Sequence, residues 1–365
     1  MIRAYCDEIK PRIYSRKKNK IRGVYSWDID NLYPQHIEHL INESSTSKSC
    51  VTMFKKFLKG NGFSQGETFV NDSQTLNQVL DLSVRDYSKF KGFALYIGYD
   101  LLGRIANIKH IPFKYVRFND EKTKIIVYDN WDKSQSNRID KDDFLYFDFY
   151  EPEKALESQQ NGSMGQVLYY SNDGTKTYPL SSIDPVIEDA VSDYETKIFK
   201  LKNLQNSFML KGIFVYPEQE SDDEAWETQD GAVQKELKKF QGSEGSQTMS
   251  LAYSGDMENV PAKYIPVQSK QNDKAFEYTE SSVRGSIIRN FNQPKTLHSE
   301  QEGGLFGRDQ YIEAYEVYNN ITHDDRMNIN GQYNLLFPLM GLQPDEIEVL
   351  TFRSYDTVNR RSERI

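Results

Sequence analysis

The sequence has little of what marks a secreted, membrane-spanning or metal-dependent protein. It contains only two cysteines, Cys6 and Cys50. A single distant pair sets no disulfide framework and points to a reducing compartment. No run approaches the roughly 18 apolar residues of a membrane span, and the N-terminus carries no apolar stretch of signal-peptide type. A cytoplasmic folding environment and no membrane association are therefore expected. There are five histidines. His36 and His39 stand a helical turn apart but have no third ligand at local spacing, so a solvated helix face is the simpler reading. Asp140, Asp142 and Asp143 beside a strand start read as solvated acids, since a cation site needs several converging oxygens. No Gly-x-x-x-x-Gly-Lys-Ser/Thr phosphate loop occurs. Gly60-Asn-Gly-Phe-Ser-Gln-Gly66 misses the dinucleotide spacing by one residue and follows a helix rather than a strand, so it reads as a helix terminus. The expectation is a protein that is not an enzyme, with no cofactor and no metal.

The chain has 365 residues, above the size at which one core usually keeps growing, so more than one substructure is expected. Apolar residues make up 38% and the mean hydropathy is −0.71. Aromatics reach 13%, from 24 Tyr, 20 Phe and 3 Trp. That aromatic load suits a modest core with broad subunit contacts, and equally a tyrosine-rich monomer. The net charge of −9 argues against tight DNA binding by the chain as a whole. The charge is uneven. Residues 1–23 hold eight basic side chains against two acidic ones, and residues 218–227 hold six acidic ones and no basic one.

Periodicity places the elements. Ile37, Leu40 and Ile41 form the buried edge of a short helix in which Asp30 and Asn31 are capping candidates and Pro34 sits in the first turn. A second helix, about 47–59, buries Cys50, Val51, Phe54, Phe57 and Leu58 and ends at Gly60. A third spans about 73–90. Strands at 93–99 and 105–111 read as a hairpin around Asp100-Leu-Leu-Gly103, and 115–118 with 124–128 as a second. The run 144–150 is apolar on both faces and predicts a strand covered on both sides. Residues 151–180 are polar, with one short strand at 167–170. The result is an α+β fold, helices first and then an antiparallel sheet.

From Ser182, with Pro185 in the first turn, Ile187, Val191, Tyr194, Ile198 and Leu201 form a heptad-like seam ending near Asn206. Lys197, Lys200 and Lys202 gather in its last turns. A small αβ module follows, with strands at 210–216 and 249–253, a helix at about 232–240 and a further strand at 265–267. A helix over 273–291 leads back. Gln293 to Gly307 then reads as a long loop, holding Pro294, Gly303, Gly304 and Gly307; loops of that length are usually functional. A single helix is predicted from 308 to about 330, and a final strand over 347–352 rejoining the sheet.

This order of elements resembles the portal proteins of tailed bacteriophages, of the small siphophage type. Asp30-Asn-Leu-Tyr-Pro34 and Lys59-Gly-Asn-Gly-Phe63 look like that family's N-terminal wing. Asn203-Leu-Gln-Asn206 followed by Leu210-Lys-Gly-Ile-Phe-Val215 is similar to its stem-to-clip passage, with Ser207 where a glycine often stands. Ile288-Arg-Asn-Phe-Asn-Gln-Pro294 looks like its Phe-Gly-Val-Pro segment, with Asn292 and Gln293 replacing Gly-Val. The resemblance implies a wing at 1–181, a first stem helix at 182–206, a clip at 207–268, a second stem helix at 269–292, a tunnel loop at 293–307 and a returning wing at 308–365, with a helical crown minimal or absent.

By that resemblance, the chain assembles with itself into a ring, a dodecamer, at one capsid vertex of the virion, made in the bacterial cytoplasm. Duplex DNA passes through it without sequence preference during packaging and ejection. The implied channel residues are Lys295, His298, Gln293 and Thr296 on the tunnel loop and Lys197, Lys200 and Lys202 on the stem. The bland alternatives are a solvated loop and lysines that complement a helix C-terminus. The implied docking face for the terminase large subunit, and later for the head-completion adaptor, is Glu218, Glu220, Asp222, Asp223 and Glu224, which otherwise form an exposed acidic turn. The major capsid or scaffold protein is the remaining partner. Two other classes stay open: a head-to-tail connector or minor capsid protein, and an enzyme on an α+β scaffold, which needs a convergent polar pocket.

Overall fold

The computed structural model describes residues 21–132, 143–155, 165–174, 176–205, 212–217, 248–253, 263–266, 272–298 and 308–352. Contacts divide the chain into two compact units, residues 1–190 with 285–365, and residues 191–284.

The larger unit begins with three helices: α1 (Tyr33–Glu43), α2 (Ser45–Lys59) and α3 (Leu76–Phe90). Pro34 lies in the first turn of α1, where its missing N–H costs nothing. Asp30 and Asn31 do not cap that helix as expected; the N-cap position is Leu32, which makes no side-chain cap. Ser44 Oγ accepts from Ser47 N–H to start α2, and Gln78 accepts from Thr75 N–H at the start of α3. The buried stripes are those that periodicity predicts, including Cys50, Phe54, Phe57 and Leu58 on α2 and Val79, Leu80, Val84 and Tyr87 on α3.

Seven strands follow the order β1-β4-β5-β6-β7-β2-β3: β1 (Val24–Tyr25), β2 (Gly92–Tyr99), β3 (Ile105–Ile111), β4 (Val116–Asn119), β5 (Ile125–Val127), β6 (Leu145–Phe149) and β7 (Gln166–Ser171). Both expected hairpins form. The sheet is mixed rather than antiparallel, because β6 and β7 pair in parallel. β7, the short strand inside a polar stretch, lies in the middle of the sheet between β6 and β2. Its neighbour β6 is not covered on both sides: Leu145 and Tyr146 are about half exposed. The outer edge is blunted. Ile108 N–H donates to Val70 O at 2.8 Å, and Asn71 Nδ2 donates to Ile108 O at 2.8 Å.

Aromatic rings and one buried cation join the N-terminal segment to the sheet. Trp27 stacks on Tyr178 with centroids 4.6 Å apart and meets Phe113 edge-on at 5.5 Å. Arg117 on β4 is fully buried. Its Nε donates to Asn31 Oδ1 and its Nη2 to Asn31 O, both at 2.6 Å. Its Nη1 donates to Lys114 O and Val116 O. Its guanidinium lies 5.3 Å from the Trp27 ring and 5.1 Å from the Trp131 ring. Burial pushes its pKa down to about 10, so it stays cationic at neutral pH. Asn31 also accepts from Trp27 N–H and adopts a positive φ of 60°, a conformation asparagine tolerates.

After the second unit the chain returns through α6 (Arg308–Ile321) and α7 (His323–Asn334), not the single helix that was expected. The break lies at buried Thr322, whose hydroxyl donates back to Tyr318 O and contacts Asn319 O. Arg326 Nη2 also takes Asn319 O. The expected strand at 347–352 is reduced to one bridge, Gly62 with Glu348. Asn61 N–H donates to Glu348 O and Glu348 N–H to Gly62 O, both at 2.9 Å. Gly60 makes this approach possible: at φ +54° a Cβ there would lie 2.0 Å from Glu348 O.

In the smaller unit, the parts of α4 (Ile187–Gln205) and α5 (Asn272–Asn290) that fall within 191–284 accompany a three-stranded sheet of order β10-β8-β9. The strands are β8 (Gly212–Pro217), β9 (Thr248–Tyr253) and β10 (Lys263–Pro266). β8 pairs in parallel with β9 and antiparallel with β10. The helix expected at 232–240 lies outside the described residues.

Two substitutions test this account. Arg117→Lys lowers stability by about 2–3 kcal/mol in chemical denaturation, because one ammonium cannot serve four acceptors or lie flat between two indoles; a loss under about 0.5 kcal/mol contradicts the role given to the guanidinium. Glu38 accepts from Lys89 and Lys114, both at 2.6 Å. Burial raises its pKa, but the hydrogen bonds from Lys114 and Lys89 and their charges outweigh burial and hold it below the ordinary 4.5. A lowered carboxylate pKa stabilises the fold above 4.5, and that stabilisation is lost as pH falls through the folded-state value. Glu38→Gln is thus less stable than the parent at neutral pH, and the gap closes below pH 4.5; a gap independent of pH contradicts the assignment.

Candidate channel residues

The stem lysines expected to meet phosphate are engaged in ion pairs. Lys197 Nζ lies 2.8 Å from Asp193 Oδ2, one helical turn earlier. Lys200 on α4 pairs with Glu280 on α5, which ties the two helices of the smaller unit together. Arg284 reaches the same carboxylate at 3.8 Å. Two cations therefore share one acid. Lys200 and Arg284 are about half exposed, so the pairing is worth little to stability, yet it reduces the charge these side chains offer to a passing anion. Lys202 lies in α4, and its side chain is outside the described residues.

Residues 293–298 depart from the expectation of a loop free from its first residue. α5 ends at Asn290; Asn292 takes φ 50°, and Gln293 N–H returns to Ile288 O. Lys295–His298 form a 3-10 turn. Gln293 and Thr296 are buried in the larger unit, so their side chains are not available to line a channel. The Gln293 amide donates to Cys50 O on α2 at 2.8 Å and to Tyr318 Oη on α6 at 2.9 Å. His298 Nε2 lies 2.6 Å from Gln293 Oε1. Burial, which outweighs the Gln293 bond, raises the Tyr318 pKa, so its phenol is neutral. Lys295 alone of these four side chains is exposed. The remainder of the expected tunnel loop, 299–307 with its three glycines, lies outside the described residues. So do Glu218, Glu220, Asp222, Asp223 and Glu224 of the expected docking turn.

One cleft of about 130 Å³ in the larger unit was not foreseen. Phe54, Lys91, Phe291, Thr322 and Asp325 line it. Its two charged groups are paired with each other, Lys91 Nζ to Asp325 Oδ2 at 3.0 Å, while Tyr87 Oη donates to Asp325 Oδ1 at 2.5 Å. Lys91 also lies 4.5 Å from the Phe54 ring. The available sequence signal was Lys91-Gly92 after a helical run: Lys91 is the left-handed terminus of α3. Among the described residues no group of three or more His, Cys, Asp or Glu is placed to hold a metal ion, and no helix is long and apolar enough to cross a membrane.

The two units define an α+β chain with an inserted small sheet carried between two long helices. That architecture recurs in known particles. A chain in the virion of a native gene transfer agent particle aligns over 91% of this chain and 88% of its own length, with a TM-score of 0.53 at 10% identity. A chain in the neck of the native particle, computed with C12 symmetry, aligns over the same shares with a TM-score of 0.52 at 10% identity. A HK97-family phage portal protein from Corynebacterium diphtheriae aligns over 77% of this chain and 85% of its own, with a TM-score of 0.41 at 10% identity. No protein-family model matches the sequence, and no curated protein matches it. At these identities the first two matches establish the fold alone: an α+β fold shared with chains of gene transfer agent particles.

The anchoring of 294–298 is testable. Deleting 294–298 lowers the melting temperature of the chain by about 4 °C or more, as loss of buried hydrogen bonds requires. A melting temperature within about 1 °C of the parent in thermal denaturation contradicts it.

Proposed function

We propose that the chain is the subunit of a portal-type ring at a single vertex of a phage-like particle, and that it acts as a structural component and not as an enzyme. The observation that carries this reading is the shared fold, over 91% of the chain, with chains of gene transfer agent particles, one of them in a neck computed with C12 symmetry. Exposed Phe199, Leu201 and Tyr278 in the smaller unit support it, since such side chains suit contacts between copies. In this reading duplex DNA passes through the ring during packaging and ejection. The terminase large subunit docks on the clip, then a head-completion adaptor, while the major capsid or scaffold protein surrounds the wing.

The charge supports passage rather than grip. Duplex DNA carries one charge per roughly 1.7 Å of axis, and a strongly basic bore would hold it. A net charge of −9 per chain repels it overall. Exposed Lys295, repeated by symmetry, supplies weak contacts without sequence preference.

Negative-stain microscopy of the purified chain shows rings with a central hole; strictly monomeric particles at high concentration overturn the reading. Neutralising Glu220, Asp222 and Asp223 together weakens terminase binding severalfold, and unchanged binding rejects the acidic turn as the docking face.

A further inference from the structure

Gln293 is a buried amide whose orientation is forced. One end faces the Cys50 carbonyl at 2.8 Å, and a carbonyl only accepts. That end is therefore the NH2 group, which also donates to Tyr318 Oη. Oε1 must then face His298 Nε2, 2.6 Å away. An amide oxygen only accepts, so His298 Nε2 carries a hydrogen and donates it. The tautomer of this imidazole is thus set by a chain of contacts that begins at the backbone of α2. The side chain of Thr296, between the two partners, is buried, and Leu297 N–H closes the turn on Pro294 O.

We propose that His298 is a positioning residue, latched through Nε2–H to Gln293, which anchors the Lys295–His298 turn to α2 and α6 and so fixes the point from which residues 299–307 start. In the ring, on which the functional meaning of that starting point rests, His298 places the loop instead of binding phosphate. A phosphate ligand needs its cation or its donor turned toward the DNA; the Nε2 donor of His298 is turned toward the core.

The latch is tested by amide hydrogen exchange of the full chain, read at Lys295, Thr296, Leu297 and His298. His298→Leu removes the donor and speeds exchange of these amides about tenfold, the effect of one lost hydrogen bond. Gln293→Leu speeds it at least as much, and the double substitution adds nothing beyond Gln293→Leu alone, because both remove the same interaction. His298→Gln supplies an uncharged N–H donor of comparable reach and returns exchange to within about twofold of the parent. The proposal is overturned if His298→Leu leaves exchange unchanged, if the two single effects multiply, or if His298→Gln exchanges as fast as His298→Leu. Should Gln293→Leu fail to fold, the two His298 variants decide the matter alone. The measurement reads the protein in any oligomeric state, so a chain that shows the latch and never forms rings keeps this inference and loses the ring reading.

Discussion

A buried guanidinium without a hydrogen-bonded carboxylate sets the terms for the larger unit. Arg117 cannot shed its proton at neutral pH, so its charge must be met by whatever surrounds it. Four backbone and amide oxygens and two indole faces meet it. Each of those groups has to be held in place, and that requirement organises the neighbourhood. Asn31 takes a left-handed backbone conformation to offer both its oxygens. Trp27 is fixed by Tyr178 and Phe113, and Tyr178 Oη donates to Tyr25 O. Tyr33, two residues after Asn31, donates to Asp184 Oδ1 and accepts from Ser181 N–H. Residues 25–33, strand β4 and the lead into α4 are thereby coupled through one cation.

Much of this was legible from residue pattern. Helices α2 and α3 announce themselves because their apolar residues recur at 3.6 and their termini carry serine, threonine and glycine. The hairpins follow from alternation around Asp100 and Asn119. What failed to show has physical reasons. β7 reads as a short strand at 167–170, but its place at the sheet centre does not show: it begins at polar Gln166, buried because its amide is met by Glu151 and Tyr99. The break in the returning helix depends on a threonine hydroxyl that competes with the backbone, a contact that helical periodicity over 308–330 does not reveal. The end of the chain reads as a strand, yet its partner is a glycine turn that offers one bridge.

The candidate site shows the same division. Pro294 and the glycines after it carry the signal of a loop, and the signal is local. The burial of Gln293 and Thr296 is a tertiary fact, produced by α2, 243 positions away at Cys50, together with α6, 25 positions away at Tyr318. Lysine clusters likewise say that charge is present and not whether it is already paired, and Glu280 lies on a helix far along the chain. Among the described residues, Lys197 and Lys200 are already paired with Asp193 and Glu280, and the root of the loop is held by α2 and α6.

The ring at a unique vertex is the central claim, and copy number tests it most directly. Quantitative mass spectrometry of intact particles, referenced to the major capsid protein, should find one ring of this chain per particle, twelve copies if the symmetry matches that of the gene transfer agent neck. A copy number that scales with the capsid shell, or none in the particle, contradicts it.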